Sequence, residues 1–161
     1  MKVLKYKIIK SPVGHLKIVV NEKSLQAILW DNEKPSRVFL DHMVEDIRHP
    51  LILETEKQLS QYFLGQRKLF DVPLNTYGTD FQQDVWKKLL QIPYGVTWTY
   101  KDIAQKIKNP QAVRAVGSAI GRNPISIIIP CHRVIASNGS LAGFAGGLDR
   151  KKILLDLENI L

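Results

Sequence analysis

The chain contains one cysteine, Cys131, followed at once by His132 and Arg133 in the stretch IIIPCHRV, Ile127 to Val134. A thiol beside an imidazole is the raw material of nucleophilic chemistry. A free thiol has a pKa near ~8.5, so only about 3% is thiolate at neutral pH. A nucleophilic cysteine therefore needs a base or positive charge nearby, and usually a third group that orients the base. His132 supplies an imidazole, but neighbours in extended chain point to opposite faces. Direct contact with Cys131 requires a turn after Pro130, or a bridging water. Asp149, Asp156 and Glu158 in the last segment are the carboxylates that could orient the imidazole. A hydrolase, a transferase or a redox sensor could all use such a set. A buried cysteine is more often an inert small hydrophobe, so the rest of the chain has to decide.

Composition removes several classes. One cysteine excludes an intramolecular disulfide and any zinc site built from several thiolates. His15, His42, His49 and His132 are scattered without ligand spacing, so no metal is expected. No Walker motif and no G-x-G-x-x-G follows a strand, so no cofactor is expected either. Lysine and arginine number 23 against 15 acidic residues, a net charge of +8. That excess suggests a polyanionic partner, of which nucleic acid is the commonest; a lysine-rich solubility surface is the plainer alternative. No apolar run approaches the ~20 residues of a membrane span. The N-terminus lacks a signal-peptide core. The expectation is a cytoplasmic protein, nuclear if the source is eukaryotic, with no membrane partner.

The elements that must position Cys131 follow from periodicity. Residues 5–10 and 15–20 alternate around SPVG and read as a hairpin, with 24–30 as a third strand. Residues 49–65 read as a helix with Leu53, Leu59, Tyr62 and Phe63 near one face and Gly65 as its cap. Residues 66–78 look like a linker. Thr79 three residues before Gln82 is a capping box, opening a helix that buries Phe81, Val85, Leu89 and Ile92. Residues 99–107 and 111–123 are two short helices around the breaker KNP, a helix-turn-helix unit. The first buries Ile103 and Ile107, the second Val113, Val116 and Ile120. Ile127-Ile128-Ile129 reads as a buried strand ended by Pro130. A glycine-rich loop follows, then a C-terminal helix with Ile153, Leu154, Leu157 and Leu161 at helical spacing. The fold class is α/β: a small N-terminal sheet-plus-helix domain (1–75), then a mainly helical C-terminal domain (76–161) with the helix-turn-helix and a short active-site strand.

The second helix of that unit is nearly bare. Around Arg114 it carries Ala112, Ala115, Gly117, Ser118, Ala119 and Gly121. A major-groove reader would need longer polar side chains. Small residues permit close approach, either to another helix or to a nucleic-acid backbone, and binding to DNA would then be nearly blind to sequence.

The segment IPCHRVIASNGSLAGFAGGLDRKKILLDLE resembles the active-site region of the O6-alkylguanine-DNA alkyltransferases, whose signature is P-C-H-R-V. The likeness runs upstream through RAVGSAIGRNP, YGVTWTYKDIA and TDFQQDVW, about residues 79–158. The N-terminal half matches in character only, as a ribonuclease-H-like domain. The resemblance implies that Cys131 takes an alkyl group from guanine O6 in a single turnover. It makes His132 the base acting through water, Glu158 the carboxylate that orients it, and Asn123 the brace of the preceding turn. Tyr100 is implied to donate a proton toward guanine N3, and Arg114 to fill the gap left by the extruded base. Ala112, Ala115, Gly117 and Ser118 would meet the DNA, while Val134 and Ala145 would line the base pocket through backbone groups. On that assignment His132 and Glu158 would lower the thiol pKa. The implied partner is double-stranded DNA carrying O6-alkylguanine, with O4-alkylthymine a further candidate, bound by a monomer. Two departures stand out. The cysteine-bound zinc of some relatives cannot form here, and Ala145 lacks the hydroxyl of relatives with serine. A cysteine hydrolase or a non-catalytic helix-turn-helix regulator is the rival reading.

Overall fold

A computed structural model describes residues 3–161. Four strands form the N-terminal sheet: β1 (Leu4–Ile9), β2 (Leu16–Val20), β3 (Leu25–Trp30) and β4 (Met43–Glu45), in the order β3-β2-β1-β4. The hairpin around SPVG brings β1 and β2 together antiparallel, and β2 pairs antiparallel with β3. β4 joins β1 in parallel; its three residues, two half-buried and Glu45 exposed, carry too little apolar pattern to be foreseen.

β3 is buried along its whole length although it lies at a sheet edge. Its free edge is occupied. Leu25 exchanges backbone hydrogen bonds with Pro73 and Asn75, and the Ile28 N–H donates to the Pro124 carbonyl at 2.9 Å. An uncovered edge would be a site for unwanted pairing. Here the segments 73–75 and 124–125 close it, so the stretch expected as a linker is in part a sheet partner, and the C-terminal half is stitched to the sheet.

α1 (Pro50–Phe63) crosses the sheet. Its buried stripe is Ile52, Thr55, Gln58, Leu59 and Tyr62, whereas Leu53 is 43% exposed. The expected stripe is off because two of its true members are polar. α2 (Asp80–Leu89) starts at the capping box of Thr79 and Gln82 and buries Val85, Trp86 and Leu89. α3 (Tyr100–Lys106) opens on a second capping box, Thr99 with Asp102. α4 (Val113–Gly121) packs on α2 and α3 through Val116, Ala119 and Ile120, and Val113 is exposed rather than inward. β5 (Trp98–Thr99) and β6 (Val134–Ile135) form a parallel pair. α5 (Leu148–Leu157) ends the fold. One hydrophobic core runs through both halves, from Leu16 and Ile28 to Ile103 and Leu154. No helix among the described residues is long and apolar enough to cross a membrane.

The expected active-site strand is a correction. Ile127 to Ile129 are buried as foreseen, but none of them pairs: the bridge is made by Ile125, and 126–128 are a turn. Ile127 has φ of 75°, which a β-branched residue rarely adopts. The turn closes on itself, with the Ile129 N–H donating to Ile125 and the Ile128 N–H to Ser126. An apolar run reports burial; it does not distinguish a strand from a compact turn.

Candidate active site

The turn delivers Cys131 by way of Asn123. The Asn123 amide Nδ2 donates to the Ile129 carbonyl at 2.8 Å, and its Oδ1 accepts the Ile125 N–H at 3.0 Å. One buried side chain thus spans the whole turn. The chain then enters a single 3-10 turn, Cys131–Arg133, in which the Arg133 N–H donates to the Pro130 carbonyl. This is a turn after Pro130, one of the two arrangements expected there, yet His132 is directed at Glu158 and makes no hydrogen bond to Cys131. All three side chains are buried.

His132 points at Glu158, with Nε2 to Oε2 at 2.6 Å. Of the three carboxylates considered, Asp149 and Asp156 are exposed and Glu158 is 2% exposed. Glu158 also accepts Arg133 Nε at 2.7 Å, the Tyr62 hydroxyl at 2.5 Å and the Gly95 N–H at 3.2 Å. Burial alone would raise its pKa. The bonds from His132, Arg133 and Tyr62 outweigh that and hold the carboxyl at about 2. Glu158 is therefore a carboxylate at neutral pH and can only accept, so the proton in its contact with His132 sits on Nε2. Burial pushes the His132 pKa down, which keeps the ring neutral. Nδ1 is left as a bare acceptor, buried and without a hydrogen-bond partner in the structure.

Activation of the thiol differs from expectation. Burial pushes the Cys131 pKa up, against the pull of the Asn123 hydrogen bond and of the Arg37 and Lys151 charges. Cys131 rests as a thiol, because a desolvated sulfur is far better off neutral.

In front of Cys131 lies a cleft of about 320 Å³, walled by Tyr100 from α3, by Gly117, Ile120 and Gly121 from α4, and by Gly143, Phe144 and Ala145 from the following loop. Tyr100 is half-buried and burial raises its phenol pKa, so it holds its proton. Gly117 belongs to this wall, whereas Ala115 and Ser118 lie exposed on the outer face of α4 with Arg114 and Arg122. Ala112 is the half-buried N-cap residue. Val134 is fully buried on β6, and its carbonyl accepts Lys151 Nζ at 2.7 Å. Ala145 does line the cleft.

Three buried polar residues make bonds that a pattern-based reading does not supply. Arg133 and Tyr62 complete the shell of Glu158. Lys151, 1% exposed, donates to the carbonyls of Val134, Leu141 and Gly143 and pins the loop after Cys131. With Glu158 it also corrects the expected face of α5. The inward stripe is Lys151, Leu154, Leu155 and Glu158, at i, i+3, i+4 and i+7, while Ile153 and Leu161 are exposed. Charged members at both ends disguise the period. Arg37, from the N-terminal half, donates to the Asn123 carbonyl at 2.8 Å and to that of Gly121 at 3.3 Å, covering the end of α4.

Residues 4–76 match the family described as 6-O-methylguanine DNA methyltransferase, ribonuclease-like domain. Residues 80–160 match 6-O-methylguanine DNA methyltransferase, DNA binding domain. A relative from Methanosarcina mazei, named methylated-DNA–protein-cysteine methyltransferase, is 47% identical over 153 residues, 95% of this chain and 96% of its own. A relative of the same name from Haemophilus influenzae is 42% identical, over 99% of this chain and 89% of its own. The crystal structure of Mycobacterium tuberculosis OGT in complex with DNA superposes with a TM-score of 0.89 at 45% identity, covering 96% of this chain and 92% of that one. The α/β architecture, with its sheet domain ahead of a helical half, is the same in both. With both halves matched and identity near one half along nearly the full length, the chain belongs to the 6-O-methylguanine DNA methyltransferase family.

Proposed function

We propose that the protein repairs DNA by moving the alkyl group of O6-alkylguanine to Sγ of Cys131, restoring guanine in one irreversible turnover. The observation that carries this reading is the position of Cys131, in a cleft shared with the small-residue helix α4 and backed by the His132–Glu158 pair. The O6 atom lies within the base stack, so the nucleotide has to be extruded into such a cleft before sulfur can reach the alkyl carbon. The S–C bond forms as the C–O6 bond breaks. The thiol proton goes through a water to Nδ1 of His132, the nitrogen that Glu158 leaves bare. Charge developing on the departing guanine is met by the Tyr100 phenol, which donates toward N3, and by backbone N–H groups of the loop at Ala145. The proton lost at sulfur and the proton regained by guanine balance. A thioether resists hydrolysis, so each molecule acts once.

Activation is coupled to binding in this scheme. Cys131 starts as a thiol and its proton leaves only when an electrophilic carbon is placed against sulfur. Asn123 holds the turn that aims Cys131. Arg114, exposed on the first turn of α4, fills the space left in the stack, while Ala112, Ala115 and Ser118 let the helix approach the backbone and Gly117 keeps the cleft open. Val134 supports the pocket from β6. Residues 1–75 brace the site and 76–161 bind and react, as a monomer in the cytoplasm. O4-alkylthymine, which presents the same kind of alkyl carbon, is a second substrate.

The test is incubation with a duplex containing O6-methylguanine, followed by intact mass and peptide mapping. One methyl increment on Cys131, saturating at one per protein, is expected. Cys131→Ala should bind the duplex and transfer nothing. Repair beyond one equivalent would instead indicate a hydrolytic cycle.

A further inference from the structure

The wall of the cleft formed by Gly143, Phe144 and Ala145 belongs to a loop with no regular secondary structure. Its position has to come from what it leans on. On one side Lys151 ties down the carbonyls of Leu141 and Gly143. On the other it meets Trp30, the last residue of β3, from the opposite half of the chain.

Trp30 is 3% exposed and fixed from several directions. Its Nε1–H donates to Ser126 Oγ at 3.0 Å, within the turn that delivers Cys131. The Phe144 ring stands edge-on to the indole, 5.5 Å between centroids at 69°. The Arg150 guanidinium lies over the indole at 5.5 Å and is held by Asp31 at 2.5 Å. The loop fits so closely that a Cβ on Gly146 would lie 2.8 Å from indole atoms Cδ2 and Cε2. Real Cβ contacts do not reach that distance, so either the loop or the indole would have to move.

We propose that Trp30 is a specificity-determining residue that acts through Phe144: it fixes from outside how wide the cleft is, and so how large an alkyl group Cys131 can accept. This rests on the alkyl-transfer reading above. An indole is rigid and cannot shrink, so Phe144 cannot retreat to admit a bulkier substituent. A smaller residue at position 30 removes that stop. A methyl at position 146 does the reverse, pressing the loop away from the indole and into the cleft. Plain core filling predicts something different, an equal loss for every substrate.

The experiment compares transfer rates from duplex O6-methylguanine and from free O6-benzylguanine in Trp30→Leu, Trp30→Phe, Gly146→Ala and the double variant Trp30→Leu/Gly146→Ala. Affinity for undamaged duplex is measured alongside. Trp30→Leu should raise the benzyl-to-methyl rate ratio by about fivefold or more, on the scale of one or two methylenes of pocket space. Trp30→Phe should raise it less. Gly146→Ala should lower it, and the double variant should return toward the wild-type ratio, the signature of two groups in contact. Affinity for undamaged duplex should stay within about twofold of wild type, since α4 is untouched. Should Trp30→Leu fail to fold, Gly146→Ala and Trp30→Phe/Gly146→Ala carry the same comparison. Ratios unchanged in all variants, or no recovery in the double, would overturn the inference. Absence of alkyl transfer to wild-type Cys131 from either substrate would overturn the underlying reading instead.

Discussion

Glu158 is the residue on which the site's charges converge. Four protein groups donate to its two oxygens, and its pKa falls from an ordinary 4.5 to about 2. The folded state therefore binds fewer protons than the unfolded one between those values. Its contribution to stability is complete above about pH 4.5 and is lost as pH falls toward 2, on the order of 3 kcal/mol in all. Glu158→Gln should be destabilised by about that amount at neutral pH and by less than about half of it near pH 3, converging on wild type only below about pH 2. Urea midpoints at neutral pH and near pH 3 check this; an equal gap at both would assign the loss to packing. The variant should also slow transfer more than it weakens DNA binding, because His132 loses the partner that keeps Nδ1 unprotonated. At this scale much was legible. The run from Cys131 to Arg133 announces itself, and Glu158 followed from a family likeness. The roles of Tyr62 and Lys151 did not: Tyr62 lies on the face of α1 that periodicity marks as buried, but nothing in the pattern ties it to Glu158, and Lys151 sits in a helix whose polar members look like surface.

At the scale of elements, α4 presents two faces with different tasks. Val116, Ala119 and Ile120 are buried against its neighbours, while Arg114, Ala115, Ser118 and Arg122 are exposed. Helical periodicity made the inner face readable, apart from Val113 in the first turn. The bareness of the outer face was readable too, but not its relation to the cleft, which depends on how α4 meets the turn at 123–129. Within it, Ile127 to Ile129 have the pattern of a strand, because three isoleucines carry no mark of the left-handed backbone at Ile127. Arg114 is the element's sharpest test. An arginine that only meets phosphate adds a modest, sequence-independent increment and one contact to the salt slope. One that supports an unstacked duplex offsets a cost of a few kcal/mol. Arg114→Ala should then reduce transfer from duplex far more than it reduces binding, and leave transfer from free O6-benzylguanine near wild type. Equal losses on both substrates would place Arg114 in support of the pocket.

Over the whole molecule, the net charge of +8 sets the behaviour toward DNA before any contact is made. Affinity for undamaged duplex should fall steeply and linearly on a log–log plot against salt, as phosphate contacts release counterions. It should differ little among unrelated sequences; a salt-insensitive affinity would contradict this. The charge was plain from composition, and the order of strands and helices largely so. What periodicity could not give was the joining of the two halves. Arg37 covers the end of α4, Trp30 reaches Ser126, and Ile28 pairs with the segment at Pro124.

Tyr62 shows what that joining means for stability. It lies on α1, yet its hydroxyl donates to Glu158 across 96 residues of sequence, within one continuous core. If the halves were separate folding units, each would unfold at its own midpoint. A shared core and shared ion-pair network instead demand one transition. The tryptophans are placed to report it, with Trp30 in the first half and Trp86 and Trp98 in the second. Urea unfolding followed by circular dichroism, by total fluorescence, and by Trp30 alone in a Trp86→Phe/Trp98→Phe background should give coincident curves within each protein. Tyr62→Phe removes a bond to a buried carboxylate, about 1.5–3 kcal/mol, and should lower the midpoint of every probe together. A variant in which only the Trp86 and Trp98 signals move would show that α1 and the active site are held by separate units, with the Tyr62–Glu158 bond a local contact between them.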